Sequence, residues 1–245
     1  MVRACLPNLP EGSLQGRRHA VCEAFTPVIR WKPRFGAFDE RALRVSFPAV
    51  RKLDRPAGGK AIDPGSRPLR GLTARELTER LEKALAAGDG VAGAHCIHES
   101  WMRGEFAANI ETALQRLWER AARSIPEWLP MRHIDWLAAA YEVAGQFRAR
   151  RGGRSNIYLV LLDYADRRDG PHGVYVGMSH YSPARRFEQH KAGIRAAGSV
   201  LKRGIEVLPG PVLHLQHISR DEAEAIEASL AEALRATGII VTGGH

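Results

Sequence analysis

Arg186 and His190 stand four residues apart in the run VYVGMSHYSPARRFEQHK, Val174 to Lys191. On a helix that spacing puts both side chains on one face. A guanidinium grips a phosphate with two parallel hydrogen bonds, and imidazole gives or takes a proton near neutral pH. Together they can make an anion site with a titratable group beside it. The same pair also occurs on exposed helices that do no chemistry, so its meaning depends on its neighbours.

The elements around it are legible. Val174-Tyr175-Val176 reads as a short apolar strand closed by a turn at Gly177, glycine being the residue expected where a chain turns sharply or another group comes close to the backbone. Ser182 followed by Pro183 is an N-cap with Pro at the first helical position, which predicts a helix from Ala184 onward. Asn156 to Leu162 is an apolar run with Tyr158 in it, the length of a strand buried on both faces. A later helix opens at Ser219 with acidic residues in its first turn, carries Ile226, Leu230 and Leu234 as one stripe, and stops at Gly238. Glu227 lies in its middle.

A strand with Tyr158, a strand with Tyr175 before Gly177, a helix with Arg186 and His190, and a helix with Glu227 follow in an order that resembles the GIY-YIG nuclease family, over roughly residues 154 to 245. Asn156-Ile157-Tyr158 stands where the first signature begins with Gly, and Tyr175-Val176-Gly177 is a variant of the second. Arg186-Phe187 followed by His190 matches the helix motif, with Arg185 the alternative one register away. The Thr242 to His245 segment, TGGH, is similar to the glycine-rich segment of restriction-type members, whereas the family's Asn has no counterpart in this part of the chain.

The resemblance implies a metal-dependent DNA endonuclease of a restriction, defence or mobile-element kind. Its catalytic set would be Tyr158, Tyr175, Arg186, His190 and Glu227, with Glu227 as ligand of Mg²⁺ (or Mn²⁺). The chemistry itself asks for such a set. Phosphodiester hydrolysis needs an activated water, a counter-charge on phosphorus and help for the leaving oxygen. A phenol ordinarily titrates near 10, so Tyr158 could deprotonate water only with a cation or metal lowering it. Both strands of a duplex are cut by a single-site enzyme through two subunits or two visits, so a homodimer on DNA is expected.

The remainder of the chain bounds this reading. Lys and Arg outnumber Asp and Glu by 14 to 6 over residues 1–70, against 10 to 11 over 71–150 and 12 to 10 over 151–245. The excess is therefore an N-terminal, proline-broken arm, suited to a phosphate backbone or to no partner at all. Within it, VIRWKPRF interleaves aromatics and cations and could stack on bases or form an edge strand. Arg148, Arg150, Arg151 and Arg154, beside Gly152 and Gly153, mark a domain boundary and, with Lys191, are the expected nucleic-acid contacts. No apolar run is long enough to span a membrane and no signal peptide opens the chain, so a cytoplasmic protein is expected. Cys5, Cys22 and Cys96 read as reduced thiols.

Between arm and C-terminal domain the pattern is helical. Thr73 and Glu76 form a capping box, with Leu77, Leu81 and Leu85 on one face and a stop at Gly88. Further helices are expected over Glu105–Ser124, with Phe106, Ile110, Leu114 and Leu117 inward, and over Ile134–Arg150. His95, Cys96 and His98 are expected in a loop, without the spacing of a zinc site. The expected fold is α+β: a small mixed or antiparallel three-stranded sheet flanked by helices, GIY-YIG-like, with one strand over Gly204–Leu215, preceded by a helical domain (71–150) and the basic arm (1–70). Two other readings remain open on sequence: a nucleic-acid-binding protein with an inactive domain of this kind, and an interaction protein acting through the helices.

Overall fold

A computed structural model describes residues 64–167 and 170–244. The basic arm up to residue 63, VIRWKPRF, Cys5, Cys22 and His245 lie outside the described residues. The capping box at Thr73 forms in full: its side chain accepts the Glu76 N–H while the Glu76 carboxylate accepts the Thr73 N–H. It opens α1 (Ala74–Ala87), and Gly88 at φ 66° ends it in the left-handed conformation.

The segment expected as a loop is a helix, α2 (Gly90–Met102), capped by Asp89. His95, Cys96 and His98 are buried in it. The sequence concealed this helix because its period is blurred: nearly every residue from Gly93 to Glu99 is buried, so no polar face alternates with an apolar one. Burial pushes the Cys96 thiol up to about 11, so this cysteine is a packing group. Glu99, 1% exposed, is held by Arg67 and Arg103, each at 2.7 Å. Arg103 also reaches the carbonyls of Leu69, Arg70 and Leu72, tying the segment before α1 onto α2.

Helix α3 (Ala107–Ala121) buries Ile110, Leu114 and Leu117 as expected. Phe106 does not join them: it is the N-cap residue, outside the helical stripe, and is 79% exposed. The next helix, α4 (Leu137–Ala144), is shorter than the periodicity predicts and ends at Gly145. One continuous cluster of buried side chains runs from Leu85 through Leu114, Ile134 and Leu159 to Leu234, so α1–α4 and the sheet share a core.

The sheet has four strands rather than three, in the order β3-β1-β2-β4. Strand β1 (Arg151–Asp163) pairs antiparallel with β2 (His172–Ser179), putting Tyr158 opposite Gly177. Helix α5 (Pro183–Lys191) follows β2, capped by Ser182 as the sequence predicts, and a short helix α6 (Gly198–Arg203) comes next. The strand expected to Leu215 is confined to β3 (Gly204–Val207), antiparallel to β1; a 3-10 turn over Gly210–Leu215 takes the remainder, because Pro209 and Pro211 cannot extend a ladder. Helix α7 (Arg220–Ala236) leads to the strand missing from the expectation, β4 (Val241–Gly243), which lies parallel to β2. Alternation splits β1: Ile157, Leu159 and Leu161 face the large core, while Tyr158, Val160 and Leu162 pack with Tyr164 and Val200 under Phe187 of α5.

Gly152 and Gly153 are part of β1. Both N–H groups bond the carbonyl of His217, and a Cβ on Gly153 would lie 1.8 Å from the oxygen of Ile218. The glycines are there to let two chain segments cross.

Candidate active site

Four elements bring Tyr158, Tyr175, His190, Arg186 and Glu227 to one place. Tyr158 on β1 and Tyr175 on β2 have ring centroids 5.9 Å apart, and the His190 ring from α5 lies 6.1 Å and 5.7 Å from them. Tyr158 is 1% exposed and its hydroxyl is 2.8 Å from His190 Nε2. Gly177 makes this fit possible, since a Cβ there would stand 2.6 Å from Cζ and Oη of Tyr158 and from Cε1 of Tyr175. The turn that the sequence predicts at Gly177 is not there: Gly177 lies inside β2, paired with Tyr158, and a glycine is needed to make room for the phenol end of that residue.

The hydrogen bonds fix the imidazole's tautomer. His190 Nδ1 accepts the Ala197 N–H at 2.9 Å, so the ring proton sits on Nε2 and is donated to the Tyr158 oxygen. Burial, aided by the positive charge of Arg186, depresses His190 to about 4, so it is neutral at pH 7. His190 is therefore a fixed donor to Tyr158 in this state and not a free base. The phenol of Tyr158 is pushed far above its ordinary value by burial and by Tyr175, an effect that outweighs the lowering by Arg186. Tyr175 is raised as well, by burial first and by the charge of Glu227.

Arg186, not Arg185, is the arginine at the tyrosines; Arg185 stacks instead on Tyr181 with its guanidinium 4.7 Å from the ring centre. Arg186 is half-buried and donates to Gln189 Oε1 at 3.1 Å, the Ile194 carbonyl at 3.3 Å and the Arg195 carbonyl at 2.8 Å. The segment from Ile194 to Ala197 thus orients both the guanidinium and the imidazole of α5. Nothing in its composition, IRAA, signals that task.

Glu227 sits on α7, 8% exposed, in no ion pair among the described residues. Burial pushes its carboxyl up to about 7 against the Gly244 N–H, which lowers it. The glycine-rich end supplies that N–H because Gly243, the last residue of β4, and Gly244 after it, at φ 86° and 78°, turn tightly, and a Cβ on Gly244 would meet Ala231 at 2.4 Å. Among the described residues no three His, Cys, Asp or Glu gather as a metal cage. A buried carboxylate lacking a counter-charge fits an ion held by one protein ligand, with water and substrate phosphate in its other positions, which is how Mg²⁺ is commonly held. It does not fit a structural zinc site.

Asn156 is a clamp. Its amide nitrogen donates to the carbonyls of Ser179 at 3.4 Å and Tyr181 at 3.1 Å, and its oxygen accepts the His217 N–H at 3.0 Å. It therefore joins β1 to the end of β2 and to the loop before α7.

The expected nucleic-acid contacts do not assemble as one patch. Arg148 turns back onto the carbonyls of Gly145 and Phe147, and Lys191 donates to the Gly204 carbonyl. Arg150 and Arg151 are exposed near the first turn of α7, where the Arg150 N–H reaches Glu222. Arg151 is at the far end of β1 from Tyr158, and it and Ser155 both bridge to Ile218. Arg154 is closer, at a groove of about 430 Å³ whose lining also includes His180, Gln216 and His217, residues the sequence did not single out. Among the described residues no helix is long and apolar enough to cross a membrane. Comparison with protein-family models, curated proteins and solved structures finds no match to this chain.

Proposed function

We propose that the protein is a metal-dependent endonuclease that hydrolyses phosphodiester bonds in DNA, with chemistry of the GIY-YIG kind. The observation that carries this reading is the convergence of Tyr158, Tyr175, Arg186, His190 and Glu227 from β1, β2, α5 and α7 around one hydrogen bond, Tyr158 to His190. Five residues spread over some seventy positions gather although packing alone needs neither the imidazole nor the carboxylate there.

In this reading Glu227 holds Mg²⁺ (or Mn²⁺), and a bound ion supplies Lewis acidity toward the phosphate and toward water. Glu227 must be ionised to do so, and a cation at its oxygens brings its carboxyl down from about 7. The Tyr158 hydroxyl orients the attacking water. The Nε2–H of His190 donates to the Tyr158 oxygen, and the Ala197 N–H keeps that proton in place, so the phenol is held in its protonated form beside the water it orients. Arg186 offers its guanidinium to a non-bridging phosphate oxygen, balancing charge that grows in the transition state. Tyr175 packs against both rings and limits water access.

The test is nicking of supercoiled plasmid in Mg²⁺ and in EDTA by the wild type, Glu227→Ala and Arg186→Ala. Metal-dependent nicking lost in both variants, with DNA binding kept, supports the reading. Tight DNA binding without cleavage by the wild type in Mg²⁺ would make the protein a binding protein.

A further inference from the structure

We infer that the groove beside the tyrosine cluster is a subsite for a DNA phosphate adjacent to the reacting one; this rests on the reading of the site as DNA-directed. Its lining contains no acidic side chain. The two amides that line it are already spent: Asn156 clamps the chain as described, and Gln216 donates to the carbonyls of Ile157 at 2.7 Å and Val212 at 2.9 Å. They form the floor.

What is left for a ligand is a set of donors. The exposed Arg154 side chain makes no hydrogen bond or ion pair among the described residues, and the imidazoles of His180 and His217 stand at the same groove. Ser182 accepts the Arg185 N–H through its oxygen at 3.4 Å, so its own proton remains to be given. Ser182 also begins α5, whose N-terminal dipole favours negative charge. Arg185 adds a further cation beside the groove, propped on the Tyr181 ring, which His180 approaches at 3.9 Å. Donors converging without a carboxylate select an anion, and about 430 Å³ admits a phosphate with its sugar rather than a bare ion.

The groove's position makes the anion a neighbour of the reacting group. Asn156 of its floor is two residues before Tyr158 on the same face of β1, about 7 Å along the strand. On this proposal the phosphodiester in the groove is the next along the strand from the one at Tyr158 and Arg186. The subsite thus sets the register of the strand across the site.

The test uses the full chain and a fluorescein-labelled 20-base-pair duplex in EDTA, with binding followed by anisotropy from about 50 to 200 mM salt. Arg154→Gln is expected to weaken binding about tenfold and to lower the slope of log K against log salt by about one, the loss of a single phosphate contact. Arg75→Gln removes the same charge from an exposed site on α1 paired only with Glu79, and should leave the slope unchanged. Wild-type binding in the Arg154 variant, or an equal loss in the Arg75 variant, overturns the subsite. So does a wild type that fails to bind the duplex. Nicking of plasmid in Mg²⁺ then reports separately on the nuclease reading: a wild type that binds through Arg154 yet never nicks keeps the subsite and loses the enzyme.

Discussion

Replacing Glu227 by Gln should stabilise the folded protein at alkaline pH, and by an amount that the burial of this carboxyl predicts. The group's ordinary value is 4.5, and the fold raises it to about 7. At about 1.4 kcal/mol per unit, ionising it in the folded protein costs of the order of 3 kcal/mol more than in the unfolded chain. The sign follows from proton counting. Below about pH 4.5 both states are protonated and the cost is absent; it grows between 4.5 and 7, and is fully present above 7. Gln keeps the shape and can still accept the Gly244 N–H without the charge. Urea unfolding of the two proteins at about pH 4.5 and pH 8, without divalent metal, should therefore give similar stabilities at the lower pH and a Gln variant more stable by about 2–3 kcal/mol at the higher. Added Mg²⁺ should recover part of the difference for the wild type alone, by about 1.4 kcal/mol at ten times its dissociation constant. A variant no more stable than wild type at pH 8, or a gap that does not change with pH, would refute the argument that Glu227 is an uncompensated buried charge.

Other changes probe the geometry around it. Tyr158→Phe leaves the ring but orphans the Nε2–H of His190, so a loss of about 1–3 kcal/mol in stability is expected, along with a fall of about 10²–10⁴ in nicking rate while duplex affinity stays level; unaltered nicking would remove Tyr158 from the mechanism. Gly177→Ala must push apart the two tyrosines, at about 1–3 kcal/mol. Near-ultraviolet circular dichroism should register the displaced rings, and an unchanged spectrum with full stability would contradict the packing. Asn156→Gly restores the residue typical of the resembling family yet should cost about 2–3 kcal/mol in urea melts, because the His217 N–H and the Tyr181 carbonyl lose their partner; a variant as stable as wild type would deny the clamp.

Local chemistry was legible wherever a single turn or cap decides it. Thr73 with Glu76, Ser182 with Pro183, Ser219 and the stops at Gly88 and Gly238 mark helix ends through bonds between residues three or four apart, and these lie where the sequence puts them. Gly177 misled the sequence reading, which made it a turn, because the phenol that needs the space comes from another strand, β1. The sequence failed where burial overrides periodicity. Helix α2, buried nearly all round, shows no stripe, and β4 is three residues long, held by pairing with β2 rather than by its own pattern.

The five candidate residues could be named from the chain, but their state could not. That Arg186 rather than Arg185 meets the tyrosines depends on where α5 lands on the sheet. That His190 is a neutral donor depends on the Ala197 N–H, seven residues away, and that Glu227 holds its proton near neutrality depends on how deeply α7 buries it. By itself the sequence determined residue types, helix caps and the two tyrosine-bearing strands, which are set by neighbours along the chain. Only the tertiary structure decided tautomer, charge and the groove beside the tyrosines, because desolvation and hydrogen-bond partners come from segments that meet only when the chain is folded.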